Sequence, residues 1–252
     1  MQRSRDLVWD GLLNVRDLGG HPTEDGGETT FDSIIRADSV RELSDEGWQE
    51  LVDYGVKTIV DLRADEELEA DPPAELPVEV QHVPFIETDR GDWPEIEAEL
   101  DAVVKAAPDV PSATRDVYLL FLERFAQNVA AAIRAVADAP AGGVVIHCAG
   151  GKDRTGLVTA FLLHLAGVTT EEIARDYALS EERLRSRHEK WLAEAQTDEE
   201  RERLKRIQQT PAESITGVFA ELERRYGSVE GYLRHGGLTN DELARARARL
   251  RD

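Results

Sequence analysis

The stretch Gly143-Val-Val-Ile-His-Cys148 is an almost unbroken apolar run, followed by a short loop with two glycines and then by an apolar segment, 155–166, that stops at Gly167. No other feature constrains the fold as tightly. A strand that is hydrophobic on both sides and feeds a helix that is hydrophobic all round needs cover on both faces, the condition of a parallel sheet in an α/β protein. Further β-branched runs at 33–37, 56–62 and 78–85 predict three more strands. Helix signals lie between them. Ser44 opens a helix with acidic residues in its first turn and Trp48, Leu51 and Val52 at helical spacing, and Gly55 closes it. Tyr118, Leu122, Phe125, Val129, Ile133 and Val136 recur at helical steps, which predicts one long helix over 114–137. Beyond Gly167 the pattern is helical throughout, over 170–180, 181–196, 198–208, 211–226 and 239–251. With no internal repeat and no low-complexity linker, 1–252 reads as a single domain.

The 252 residues, 41% of them hydrophobic, suffice to bury a sizeable core. Asp and Glu outnumber Lys and Arg by 51 to 30, a formal charge of −21, and no dense basic tract offsets that field, so nucleic acid is a poor partner. Residues 1–14 hold no signal-type apolar run, and nowhere do roughly eighteen apolar residues follow one another, which predicts neither a signal peptide nor a membrane span. A cytoplasmic location is the expectation, although export without a recognisable signal leaves no mark in a sequence. One cysteine, Cys148, excludes an internal disulfide and a thiolate metal cluster. His21, His82, His188 and His235 show no metal-ligand spacing, so neither a metal nor another cofactor is expected.

The informative residues are His147-Cys-Ala-Gly-Gly-Lys-Asp-Arg-Thr-Gly156. A cysteine leaving a strand, six positions before an arginine at a helix start, lets the backbone between them curl into an anion nest. The helix dipole and the planar fork of Arg154 add to that field, and phosphate is the obvious occupant. The same field favours the thiolate of Cys148 and makes it a nucleophile, and as an exposed thiolate it is expected to be oxidised by peroxide. Gly150 and Gly151 remove Cβ atoms where close approach or a positive φ is expected. Thr155 can donate a hydroxyl hydrogen bond to the sulfur. His147 reads as a buried residue that orients the loop, and His164 as a core histidine. Asp17 reads as the cap of a turn. Asp61 and Arg63, at the carboxyl end of a parallel strand, either line the site or brace the loop as an ion pair.

HCAGGKDRTG is similar to the signature H-C-x5-R-[ST]-G of the cysteine-dependent protein tyrosine phosphatases. Its Gly-Lys-Asp-Arg interior, with Asn14-Val-Arg-Asp-Leu-Gly-Gly20 and Val60-Asp-Leu-Arg63, resembles the bacterial atypical members with triple specificity toward phosphotyrosine, phosphoserine/threonine and phosphoinositides. The resemblance spans nearly the whole chain. It implies a central parallel four-stranded sheet flanked by helices, a helical C-terminal region, and a helical lid over 183–209, a segment that taken alone is a solvated charge run. It implies that Cys148 is the nucleophile and Arg154 the transition-state clamp, and that Ala149, Gly150, Gly151, Lys152, Asp153, Arg154 and Thr155 bind the phosphate. Lys152 resembles the extra loop cation of lipid-active phosphatases. Conventional members carry their general acid in a Trp-Pro-Asp triplet, whereas here Trp93-Pro94 is followed by Glu95. Asp153 is then the leading acid, as in bacterial relatives, with Asp61 and Asp89 or Asp92 as alternatives. The implied substrate is a phosphorylated protein side chain, phosphotyrosine first, with inorganic phosphate as product. A phosphoinositide or soluble inositol phosphate is the alternative, the former opposed at anionic membranes by the −21 charge. A phosphate-binding module without turnover is the second alternative. A rhodanese-type sulfurtransferase also uses a cysteine loop, usually of different length.

Overall fold

A computed structural model of the chain describes residues 3–69 and 76–252. Its centre is a sheet of β1 (Arg16–Asp17), β2 (Ile34–Ala37), β3 (Val56–Asp61), β4 (Glu79–His82) and β5 (Gly143–His147). Among the described residues the strand order is β1-β2-β5-β3-β4. β2, β5, β3 and β4 run parallel and are the four expected strands. The added β1 is an antiparallel edge that sets Arg16 opposite Arg36. Two residues are too few to show the alternation by which a strand is recognised.

Around the sheet lie α1 (Asp45–Asp53), α2 (Asp65–Glu69), α3 (Trp93–Ala106), α4 (Val110–Arg124), α5 (Ala126–Asp138), α6 (Asp153–Leu165), α7 (Thr170–Arg183), α8 (Arg185–Glu194), α9 (Asp198–Ile207), α10 (Ala212–Tyr226), α11 (Val229–His235) and α12 (Asn240–Arg249). Successive strand residues feed opposite cores. Val144 and Ile146 join Ile34 and Val60 under Ile133 of α5 and Phe161 of α6, while Val145 joins Ile35 and Ile59 under Leu51 of α1. This period of two on a strand buried from both sides is why β5 reads as a continuous apolar run. At the start of α1 the Ser44 side chain accepts from the Gly47 N–H at 3.2 Å, and Gly55, with φ +96°, follows its end.

The single helix expected over 114–137 is two helices. Phe125, at φ −122° and ψ 30°, lies between α4 and α5. The apolar stripe runs on across the break, but its targets differ: α5 packs on the sheet, whereas α4 turns away against α3 and α10. Helical spacing reports which face is apolar and is blind to such a change of direction. Trp93-Pro94-Glu95 forms the first turn of α3 behind Asp92, a place where proline's fixed φ and missing N–H cost nothing. Among the described residues no helix is long and apolar enough to cross a membrane.

Candidate active site

The loop between β5 and α6 is held from behind by its carbonyls. The Ala149 carbonyl accepts from the Ser39 N–H at 3.1 Å. The Asn14 side-chain amide donates to the carbonyls of Gly150 and Gly151, each at 3.1 Å, and Arg36 Nη2 donates to Gly151 at 2.8 Å. In a trans peptide the N–H points opposite to its C=O, and no cis bond occurs among the described residues. Tying these three carbonyls outward therefore turns the N–H groups of Gly150, Gly151 and Lys152 to the other side. None of the three donates to another group among the described residues. Unpaired amides at the N-terminus of a buried helix form a ready anion site.

Gly151 makes this turn at φ +62°, and a Cβ there would lie 2.3 Å from the Ala37 carbonyl oxygen. Gly150 lacks that constraint: a Cβ would meet nothing closer than 3.9 Å, so the expected need for glycine falls on Gly151.

The carbonyl anchors are themselves fixed. Arg16, Arg36 and Asp176 are almost fully buried, Arg16 Nε donating to Asp176 Oδ1 at 2.8 Å and Arg36 Nη1 to Oδ2 at 2.7 Å. Arg16 Nη1 also donates to Asn14 Oδ1 at 2.7 Å, which points the Asn14 amide at the loop. Burial alone would raise Asp176, but the two guanidinium groups hold it well below the usual carboxylate range. Burial and the neighbouring Arg16 push Arg36 down to about 10, still charged at neutral pH. The motif at 14–20 thus serves the loop through Asn14 and Arg16. Its Asp17 caps a turn, accepting from the N–H groups of Gly19 at 2.6 Å and Asp32 at 2.8 Å.

Cys148 stands at the end of β5 and is only 2% exposed, contrary to the accessible thiolate expected. The segment 183–209 folds into α8 and α9 against the loop. There Arg187 donates to Asp38 at 2.7 Å and Lys152 Nζ to the Ile207 carbonyl. Thr155 is fully buried, and its hydroxyl makes no hydrogen bond among the described residues, so the expected bond to the sulfur is not formed in this state.

Both terminal nitrogens of Arg154 bind the Glu67 carboxylate, Nη2 at 2.9 Å from Oε1. Burial alone would lower Arg154, but Cys148 and Glu67 raise it. Its Nε–H has no hydrogen-bond partner among the described residues, which leaves an edge of the fork for an oxyanion. Sequence reasoning missed Glu67; its only signal was an acidic run, 65–67, just past the end of a parallel strand.

Lys152, Asp153 and Arg154 line a cavity of about 990 Å³ with an apolar wall that includes Ile86, Trp93, Val117 and Phe121, and α9 contributes Arg203 and Arg206. Asp153 accepts a hydrogen bond from Tyr118, and Lys152 Nζ lies 3.5 Å from it. The other carboxylates weighed as acids lie elsewhere. Asp61 pairs with Arg63 at 2.7 Å, sits 3.5 Å from His147 Nε2 and lines a separate cavity of about 620 Å³. Asp92 pairs with Arg90 at 3.0 Å, and neither it nor Asp89 lines the larger cavity. His147 is fully buried, its Nδ1 3.2 Å from the Cys148 carbonyl, and burial lowers its pKa.

A parallel sheet whose central strand opens, through a loop of outward-tied carbonyls and unpaired amides, onto the N-terminus of a buried helix beside a cysteine and an arginine defines an α/β protein built to handle phosphate. The chain belongs to the tyrosine phosphatase family, whose model matches residues 7–252, and it is a phosphatase. It is 28% identical over 236 residues to the tyrosine-protein phosphatase of Nostoc commune, covering 87% of this chain and 74% of that protein. It is 26% identical over 273 residues to the triple specificity protein phosphatase PtpB of Mycobacterium tuberculosis, covering 95% and 97% respectively.

Proposed function

We propose that the chain hydrolyses phosphomonoesters without a metal, phosphotyrosine first and phosphoserine or phosphothreonine with it, through a cysteinyl-phosphate on Cys148. The observation that carries this reading is the set of three unpaired loop amides beside Cys148 and the open edge of Arg154. Cys148 Sγ attacks phosphorus, the S–P bond forming as the bond to the leaving oxygen breaks, and Asp153 gives that oxygen a proton. Water then attacks phosphorus and returns a proton to Asp153, the S–P bond breaks, and inorganic phosphate leaves with the thiolate restored. The amides and Arg154 hold the equatorial oxygens throughout. In this reading α8 and α9 are the lid of one phosphatase domain and must move aside for Cys148 to meet substrate.

A second reading, a phosphoinositide or soluble inositol phosphate as substrate, is favoured by Lys152, Arg203 and Arg206 beside one cavity, cations suited to a further phosphate.

The test is turnover of para-nitrophenyl phosphate in EDTA by wild type and by Cys148→Ser, followed by phosphotyrosine peptide and phosphoinositide on the same preparations. Turnover in the wild type alone is the expected result, and the two later substrates then rank the readings. A wild type that binds phosphate without turning it over is a binding module instead.

A further inference from the structure

Tyr118 and Tyr177 are 2% and 1% exposed, and no step of the hydrolysis written above uses them. Tyr118, from α4, donates to Asp153 Oδ1, and its own oxygen lies 2.8 Å from the hydroxyl of Tyr177, from α7. While Asp153 is ionised it can only accept, so Tyr118 spends its one proton there and Tyr177 must donate to Tyr118. The chain of donors has a single polarity, Tyr177 to Tyr118 to Asp153. Burial, with the charge of Asp153 behind it, pushes the Tyr118 phenol far above its ordinary value, so it stays a donor at every working pH. The last glycine of the loop motif serves the same arrangement: a Cβ on Gly156 would lie 3.0 Å from Tyr177 Cδ2, so its absence lets the ring lie against α6.

We infer that Tyr118, backed by Tyr177, is the positioning residue of the general acid, occupying one oxygen of Asp153 so that the other faces the cavity and carries the transferred proton. The inference rests on the reading of Asp153 as that acid. In the first half-reaction the proton passes from Oδ2 to the leaving oxygen as its bond to phosphorus breaks, and the carboxylate left behind is stabilised by the Tyr118 O–H. In the second half-reaction the attacking water returns a proton to the same oxygen. The phenols keep their protons throughout. Among the described residues, the other charged or titratable groups that act on Asp153 or share its cavity are Lys152 and Arg154 of the loop and helix start, His188 of α8, Arg203 and Arg206 of α9, Glu66 and Glu67 of α2, and Asp109 just before α4.

The experiment compares wild type, Tyr118→Phe and Asp153→Asn in kcat/KM over a series running from 2,4-dinitrophenyl phosphate, whose leaving group needs no proton, to an alkyl phosphate. This parameter reports bond breaking to the leaving group even when the second half-reaction limits kcat. Tyr118→Phe should lose on the order of tenfold on the alkyl ester, the scale of a hydrogen bond to a charged group, with little change on the dinitrophenyl ester. The basic limb of its pH profile should move to higher pH. An equal loss across the series, or none, overturns the inference. If Asp153→Asn itself shows no leaving-group dependence, the acid reading fails; if it does and Tyr118→Phe does not, only the inference fails. Should Tyr118→Phe not fold, Tyr177→Phe carries the test by breaking the donor chain one bond further out, and a slope equal to wild type there overturns the inference.

Discussion

Glu67 grips both terminal nitrogens of Arg154, so the guanidinium is oriented before any ligand arrives. A fork fixed in advance loses little rotamer freedom on meeting a tetrahedral anion, and a free arginine loses much. Glu67→Ala should therefore lower kcat/KM about tenfold, the value of roughly one charge-assisted hydrogen bond, with the charge of Arg154 unchanged. Steady-state kinetics with phosphate as competing inhibitor checks this. Unchanged kinetics would mean that Arg154 finds its place without help.

Asn14 is the side chain that ties two consecutive loop carbonyls outward. In Asn14→Ala the Gly150 carbonyl loses its donor while the Gly151 carbonyl keeps Arg36, and a buried unsatisfied group costs about 1–3 kcal/mol. The expected outcome is weaker product inhibition by phosphate, about tenfold, together with a lower Tm. A lower Tm with phosphate inhibition intact would show that Asn14 stabilises the fold without shaping the nest.

Asp176 is the carboxylate shared by two buried arginines, and its removal leaves both without it. Asp176→Ala should cost about 3–5 kcal/mol in urea unfolding, the penalty for breaking a buried pair. A sign follows for pH. The carboxyl is depressed in the folded chain, so its stabilisation is complete above the unfolded value of about 4 and is lost as pH falls toward the folded one. Wild type should therefore lose stability steeply below about pH 4, and a foldable Asp176→Asn chain should show a flatter acid limb. Parallel limbs would assign the acid lability to other carboxylates.

Arg187 of α8 reaches Asp38, and Cys148 is only 2% exposed. Arg187→Ala should raise the rate of Cys148 alkylation by iodoacetamide about fivefold, the effect of losing about 1 kcal/mol of closure. Peroxide inactivation should quicken alongside it. Equal rates in the two proteins would place the barrier to the thiol somewhere other than α8.

The loop from His147 to Gly156 was legible because its chemistry is local: a thiol, three glycines, an arginine and a helix start fall within one short run. The parallel strands were legible because burial from both sides leaves an apolar composition. What the sequence concealed depends on residues meeting from far apart. Glu67 is 87 positions from Arg154, Tyr118 is 35 from Asp153, and no spacing rule links such pairs. Nor could the sequence show that Asp61 turns toward Arg63 and Asp92 toward Arg90, and that neither of them nor Asp89 lines the cavity beside Asp153. The docking of α8 and α9 on the loop was hidden for a further reason. Residues 183–209 are charged enough to read as a surface in water, yet Lys152 and Arg187 tie that surface down over the loop.

Arg16 meets Asp176 across 160 positions of chain. A ribosome that has finished β5 and α6 has made every atom of the cysteine loop but not the residue that holds its supports in place. A nascent chain ending before α7 leaves Arg16 and Arg36 without their common counter-ion, and the carbonyls of the loop without fixed anchors. An ordered phosphate nest is thus expected only of a chain in which α7 has already been made.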